Sequence, residues 1–219
     1  MADTALLERR DDIAVLRLNR PDKRNAFSAA LVAEMQAHLD AVRGNADIRC
    51  LIVTGAGTSF CSGMDLDELQ ASLAAEPAEI RKSAVNLARL LDSVYTLSIP
   101  TIAAINGPAV AGGAGLACVC DLAIAVPTAR FGYPEVLRGL VAAMVMPHLL
   151  RLVGDRVARH LLLTGELISA EQAVACGLIN EVVPDERLME TAILRAHQCA
   201  LGGPQALAST KKLLADLRK

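Results

Sequence analysis

Short apolar runs bounded by turn residues dominate the first part of the chain, and apolar residues at helical spacing dominate the rest. After the polar turn Arg9-Arg10-Asp11-Asp12, the run Ile13-Ala14-Val15-Leu16-Arg17-Leu18 predicts a strand paired as a hairpin with the start of the chain. Ala14, Leu16 and Leu18 share one face; Ile13 and Val15 line the other, which turns polar at Arg17. Asn19-Arg20-Pro21-Asp22 bends the chain, and Ser28 is placed to cap a helix whose apolar face runs Leu31, Val32, Met35, Leu39 and Val42 before Gly44. Cys50-Leu51-Ile52-Val53-Thr54 lacks polar alternation and reads as a strand buried on both faces.

Glu79 to Leu97 has helical periodicity through Ile80, Val85, Leu87, Leu90, Leu91 and Val94, and Pro100 stops it before a strand over Thr101 to Ile105. Leu122 to Val126 predicts another buried strand. Helices then follow at Pro147 to Leu152, Val157 to Leu163, Ala170 to Cys176, Glu186 to Ala200 and Pro204 to Leu217, with one extended apolar segment at Ile179 to Val183. This is an α/β body finishing in helices. No charged or Pro/Ser-rich linker divides the 219 residues, so one domain is expected.

Composition sharpens the core and narrows the partners. Apolar residues make up 53% of the chain but aromatics only 2%, so Ala, Leu, Val and Ile must build the core. A formal net charge of -2 provides no field to attract nucleic acid or an anionic membrane. The six cysteines lie scattered in apolar surroundings, and Cys118-Val119-Cys120 is too tight for a zinc-ribbon pair, so they read as reduced core thiols of a cytoplasmic protein. The opening MADTALLERRDDI carries Asp3 and Glu8 early and resembles no signal peptide. Ser93 to Cys120 is uncharged, yet Pro100 and Asn106-Gly107-Pro108 interrupt it, which predicts a buried strand, turn and helix rather than a membrane span.

Three stretches could carry chemistry: RPDKRNAFS at 20 to 28, FCSGMDL at 60 to 66, and AGGAG at 111 to 115. The last two place small residues where the backbone bends after a strand. Gly63 and Gly112 would let a ligand approach main-chain N–H groups, and a helix starting near Gly112 would turn its positive end toward that point. Neither stretch has the full dinucleotide spacing or a Walker lysine, so phosphate binding is disfavoured. The histidines at 38, 148, 160 and 197 lie outside these stretches, and no metal-ligand cluster is apparent.

From its first hairpin to its end the sequence resembles the crotonase superfamily, the enoyl-CoA hydratase/isomerase family. The resemblance rests on Leu18-Asn19-Arg20-Pro21, Asn25-Ala26, Phe60-Cys61-Ser62-Gly63-Met64-Asp65-Leu66, Asn106-Gly107-Pro108-Ala109 with Gly112-Gly113, and Cys120-Asp121-Leu122-Ala123-Ile124-Ala125. Phe131-Gly132-Tyr133-Pro134-Glu135, Leu163-Thr164-Gly165-Glu166, Ala170, Ala173, Gly177-Leu178 and Val182-Val183 complete it in the same order. It implies an α/β fold, a crotonase-like spiral of ββα units followed by C-terminal helices. The core would span residues 1–200, with 201–219 the start of a shortened C-terminal helical region. It further implies an acyl-CoA thioester substrate, no cofactor beyond that coenzyme A, no nucleic-acid or membrane partner, and a homotrimer or dimer of trimers. An oxyanion hole would be made by the amides of Met64 and Gly112, gripping an enolate oxygen. Lys23, Arg24 and Ala26 would lie along the coenzyme A, with Ser62, Gly63, Asp65, Gly113 and Gly115 shaping the same site.

The catalytic acids depart from the family pattern. Of the two glutamates that typical hydratases of the family use to hold and ionise a water, the first falls on Gly115 and the second on Glu135. Apolar neighbours would raise the pKa of Glu135, which suits a group that takes and returns a proton. The position eight beyond it, acidic in dienoyl-CoA isomerases, is Ala143. Ala142-Ala143-Met144-Val145-Met146 replaces the family's usual proline and glycines and predicts an apolar acyl pocket, whose length would also depend on the segment Leu69 to Ala78. One glutamate is the arrangement expected for converting 3-enoyl-CoA to 2-enoyl-CoA. Hydration of 2-enoyl-CoA is the alternative reading, and a non-catalytic acyl-CoA-binding relative the alternative from another class. On the isomerase reading, Gly115→Glu is expected to raise hydration if position 115 has helical geometry.

Overall fold

The computed structural model describes residues 3–72 and 76–217. Residues 73–75, within the segment expected to influence acyl-chain length, lie outside the described residues. The chain runs β1 (Ala5–Arg10), β2 (Ile13–Leu18), α1 (Ala29–Arg43), β3 (Cys50–Gly55), α2 (Leu66–Ser72), α3 (Pro77–Tyr95), β4 (Thr101–Ile105), β5 (Ala109–Val110) and α4 (Gly112–Val119). It continues β6 (Leu122–Ala125), β7 (Arg130–Gly132), α5 (Met146–Thr164), β8 (Ile168–Ser169), α6 (Ala170–Ala175), β9 (Glu181–Val182), α7 (Leu188–Ala200) and α8 (Pro204–Asp216).

The main sheet has the order β1-β2-β3-β4-β6-β9, antiparallel in the hairpin and parallel from β2 onward. Every residue of β3 and β4 is buried, as the unbroken apolar runs require of strands covered on both faces. Ser28 caps α1 by accepting the Leu31 amide at 3.2 Å, and Leu31, Met35, Leu39 and Val42 face the core while Val32 is half-buried. The two helices expected over 147–152 and 157–163 are joined as α5, with a break at Gly154, whose φ of 73° and ψ of 171° are not helical.

A second, smaller sheet explains the ββα rhythm. Its strands β5, β7 and β8 are extended by two single-residue bridges, Cys61 to Ala109 and Phe27 to Met64. After β2, β3, β4 and β6 in turn, the chain leaves the main sheet, contributes a short extended piece to this second layer, and then enters a helix. The second layer therefore gathers Phe27, Met64, Val110 and Gly132 from four successive units. Among the described residues, no helix is long and apolar enough to cross a membrane.

Candidate active site

The Gly112 amide is placed by a strained turn. Ala111 follows β5 with φ 54° and ψ −124°, a conformation that costs an L-residue energy, and its own N–H donates to the Gly132 carbonyl at 2.8 Å. The chain then turns at once into α4, whose first amide belongs to Gly112. On the neighbouring segment the bridge to Phe27 uses the Gly63 carbonyl and the Asp65 amide, at 2.7 and 2.9 Å. Met64 N–H points away from that pairing. Among the described residues, neither the Met64 nor the Gly112 amide donates a hydrogen bond within the chain.

Glycines let the two segments touch. Gly63 has φ +88°, and a Cβ there would lie 2.7 Å from Ala111 Cβ and 3.2 Å from Gly112 N. A Cβ on Gly113 would meet the Cys61 carbonyl oxygen at 2.1 Å. Both positions require glycine to bring the backbones this close. The Met64 and Gly112 amides, expected from the sequence as an oxyanion pair, thus lie on touching backbone segments, the second at the positive end of a helix.

Glu135 lies three residues beyond Gly132, the residue bonded to Ala111, in a 3-10 turn over Pro134–Arg138. Beneath the turn, Tyr133 is fully buried with its hydroxyl 3.3 Å from Cys118 Sγ of α4. Glu135 itself is half-buried, and its Oε2 is shut off from solvent with no hydrogen-bond partner. Burial pushes its pKa above the ordinary carboxylate value, partly opposed by its own backbone amide and the Arg138 charge. A buried carboxylate oxygen without a partner, on a group whose pKa is raised, marks Glu135 as a candidate for proton exchange with a ligand.

The residues expected along the coenzyme A join the segment 20–26 to the segment 62–67. Lys23 is exposed and bonded to Asp67 at 2.7 Å; Arg24 is exposed in a left-handed conformation, with its carbonyl accepting Ser62 N–H at 3.1 Å. Ala26 is buried, and its carbonyl accepts from Arg20 Nη1 at 2.6 Å. Asp65, read from sequence as shaping the channel, spends its carboxylate on Arg20 Nη2 at 2.8 Å. Ser62 is half-buried beside it.

Gly115 is buried with helical φ, but a Cβ there would lie 2.1 Å from Val145 Cγ1 and 3.0 Å from Val145 Cβ. The sequence reading considered only backbone conformation for Gly115→Glu. Space is the obstacle, and the substitution alone is corrected to a destabilising one. Nor does Ala142–Met146 line the open cavity near the site. Ala142 and Val145 turn into the core and Ala143 is exposed. That cavity, about 670 Å³, lies between α1 and α3, with Phe27, Val32, Met64 and Leu87 among its apolar lining and Arg89 and Asp92 among its polar lining.

Sequence reasoning missed the residues that hold the loops. Asn25 is fully buried at φ 54°; its Oδ1 accepts Arg20 N–H at 2.9 Å and its Nδ2 donates to the Ala56 and Ser59 carbonyls. Asn106 accepts Gly55 N–H at 3.1 Å and donates to the Gly57 carbonyl at 2.9 Å. Asn106 before Gly107-Pro108 is a turn signal that could have pointed to the second of them, whereas Asn25 follows Lys23-Arg24 and carries no such flanking signal.

Residues 8–217 match the family described as Enoyl-CoA hydratase/isomerase. A Thermus thermophilus protein that carries the provisional name enoyl-CoA hydratase is 42% identical over 205 residues, covering 94% of this chain and 81% of that protein. The 2,3-dehydroadipyl-CoA hydratase of Escherichia coli is 34% identical over 211 residues, covering 95% and 80%. The crystal structure of an enoyl-CoA hydratase from Shewanella pealeana superposes with a TM-score of 0.94 at 30% identity, covering 98% of this chain and 80% of that one. With the two-layered ββα architecture and the paired amides, these matches identify the chain as a member of the enoyl-CoA hydratase/isomerase family, with the crotonase fold.

Proposed function

We propose that the protein catalyses the reversible addition of water to a 2-enoyl-CoA thioester, with Glu135 as the proton carrier and the Met64 and Gly112 amides as the oxyanion hole. The observation that carries this reading is the buried, partnerless Oε2 of Glu135, one short turn beyond the Ala111–Gly132 hydrogen bond. The sequence reading put isomerisation first; the hydratase names of the relatives favour hydration.

With the thioester carbonyl between the two amides, the water oxygen bonds to C3 as the Glu135 carboxylate takes its proton. The C2=C3 electron pair shifts to form the enolate, whose oxygen gains charge where the amides already point. Glu135 then returns the proton to C2. Coenzyme A enters only as part of the substrate, beside Lys23, Arg24 and Ala26, and no further cofactor is required by these steps.

Isomerisation is the second reading, favoured by Gly115, where no side chain can hold the water. Here Glu135 removes a C2 proton from 3-enoyl-CoA, the double bond moves to C2=C3, and the same proton is delivered to C4. Self-association as a trimer or dimer of trimers is part of the proposal. Leu137, Val141 and Leu163, exposed by 70%, 73% and 69% near Glu135, are apolar surface suited to cover by another copy. Assaying 2-butenoyl-CoA hydration and 3-hexenoyl-CoA isomerisation side by side tests the function. Turnover of neither, with thioester binding intact, would favour a binding role instead.

A further inference from the structure

Val145 occupies the volume beside Gly115, one helical turn from the Gly112 amide. Gly112 and Gly115 are three residues apart on one face of α4, and Cα–Cβ bonds of a helix lean toward its N-terminus. A side chain at 115 would therefore lean back toward the end of α4 that presents the Gly112 amide. That space is taken: Val145 Cγ1 stands 2.1 Å from where the Gly115 Cβ would be, with Leu91 Cδ1 at 3.8 Å from the same point. Val145 is 2% exposed and is held at the start of α5, its amide donating to the Ala142 carbonyl at 3.2 Å and its carbonyl accepting Leu149 N–H at 3.0 Å.

We propose that Val145 is a specificity-determining residue, an apolar plug that denies a second water-holding group its place beside the amide pair and so sets the balance between hydration and double-bond isomerisation. The inference rests on the proposed enoyl thioester chemistry. Hydration forms a C3–O bond and needs a water held over C3. Isomerisation breaks a C2–H bond and forms a C4–H bond with the same proton, and needs only a carboxylate. Both pass through an enolate at the same amides, so a residue that admits or excludes a held water changes one rate and spares the other.

The test measures hydration of 2-butenoyl-CoA and isomerisation of 3-hexenoyl-CoA by the native protein, Val145→Ala, Gly115→Glu and the double variant, with thermal melts of each. Gly115→Glu alone should melt well below native, and Val145→Ala should restore much of that loss in the double variant. The ratio of hydration to isomerisation should rise a few-fold in Val145→Ala and on the order of tenfold in the double variant. Val145→Cys, which gives up one γ carbon and can turn its remaining γ atom away from Gly115, gives a smaller rise in the same direction if Val145→Ala melts too low. Folded variants that turn over both thioesters at the native ratio overturn the role of Val145 alone. A native protein inactive on both thioesters overturns the enoyl-CoA chemistry and this inference with it.

Discussion

The Arg20 guanidinium holds the Asp65 carboxylate at 2.8 Å and the Ala26 carbonyl at 2.6 Å, so one side chain fastens the loop leading to Phe27 onto the loop that carries the Met64 amide. The pair is largely buried, with 19% of the Arg20 and 5% of the Asp65 side chain exposed. Arg20→Ala leaves a buried carboxylate unpaired and should cost about 3 kcal/mol in chemical denaturation. Burial acts to raise the Asp65 pKa, but the Arg20 hydrogen bond and charge, with neighbouring backbone amides, outweigh it and hold the group below its ordinary 3.8. Its stabilisation is therefore complete above that value and is lost as pH falls through the lower folded value, so Asp65→Asn should flatten the acid limb of the stability profile.

Ala111 gives the opposite sign. Its φ of 54° with ψ of −124° strains any residue carrying a Cβ, so Ala111→Gly should stabilise the fold by about 1 kcal/mol. A lower melting temperature would mean that the methyl contact with Gly63 outweighs the strain.

The thiols are predicted to take no part in chemistry. Cys61 and Cys118 are buried, and burial pushes each thiol up to about 12. Alkylation of the native protein at mildly alkaline pH should modify only the half-buried Cys176 and Cys199 and leave turnover intact. Loss of activity in step with labelling of Cys61 would contradict this.

Much of this architecture was legible in residue order. The buried strands at 50–55 and 101–105, the Ser28 cap and the C-terminal helices follow from apolar runs, periodicity and caps, which are local properties. Glu135 was singled out by its flanking apolar residues and motif, and the structure gives it a buried carboxylate oxygen without a partner. The second sheet was not legible, because its bridges at Phe27–Met64 and Cys61–Ala109 are one residue long and have no periodicity to read. The Asp65 pairing and the Val145 contact with Gly115 were hidden for a related reason, since each joins residues 45 and 30 positions apart that only the tertiary fold brings together.

On the proposed mechanism Glu135 couples stability to activity. Because its folded pKa is raised above 4.5, the folded state binds more protons than the unfolded state between that value and the raised one, and stability falls as pH rises through this window. Glu135→Gln should accordingly melt higher than native at neutral pH while losing turnover. The acid limb of kcat/KM, which reports ionisation of the base, should lie above 4.5 in the native protein and be absent from the variant.

Proton transfer at C2 is measured most directly by incubating 2-butenoyl-CoA with the protein in D2O and following the exchange of solvent deuterium into C2 of the 3-hydroxybutanoyl-CoA formed. The native protein should catalyse this exchange, and Glu135→Gln should slow it by roughly a thousandfold while thioester affinity stays within a few-fold of native. Exchange by Glu135→Gln at the native rate would contradict the assignment of Glu135 as the proton carrier.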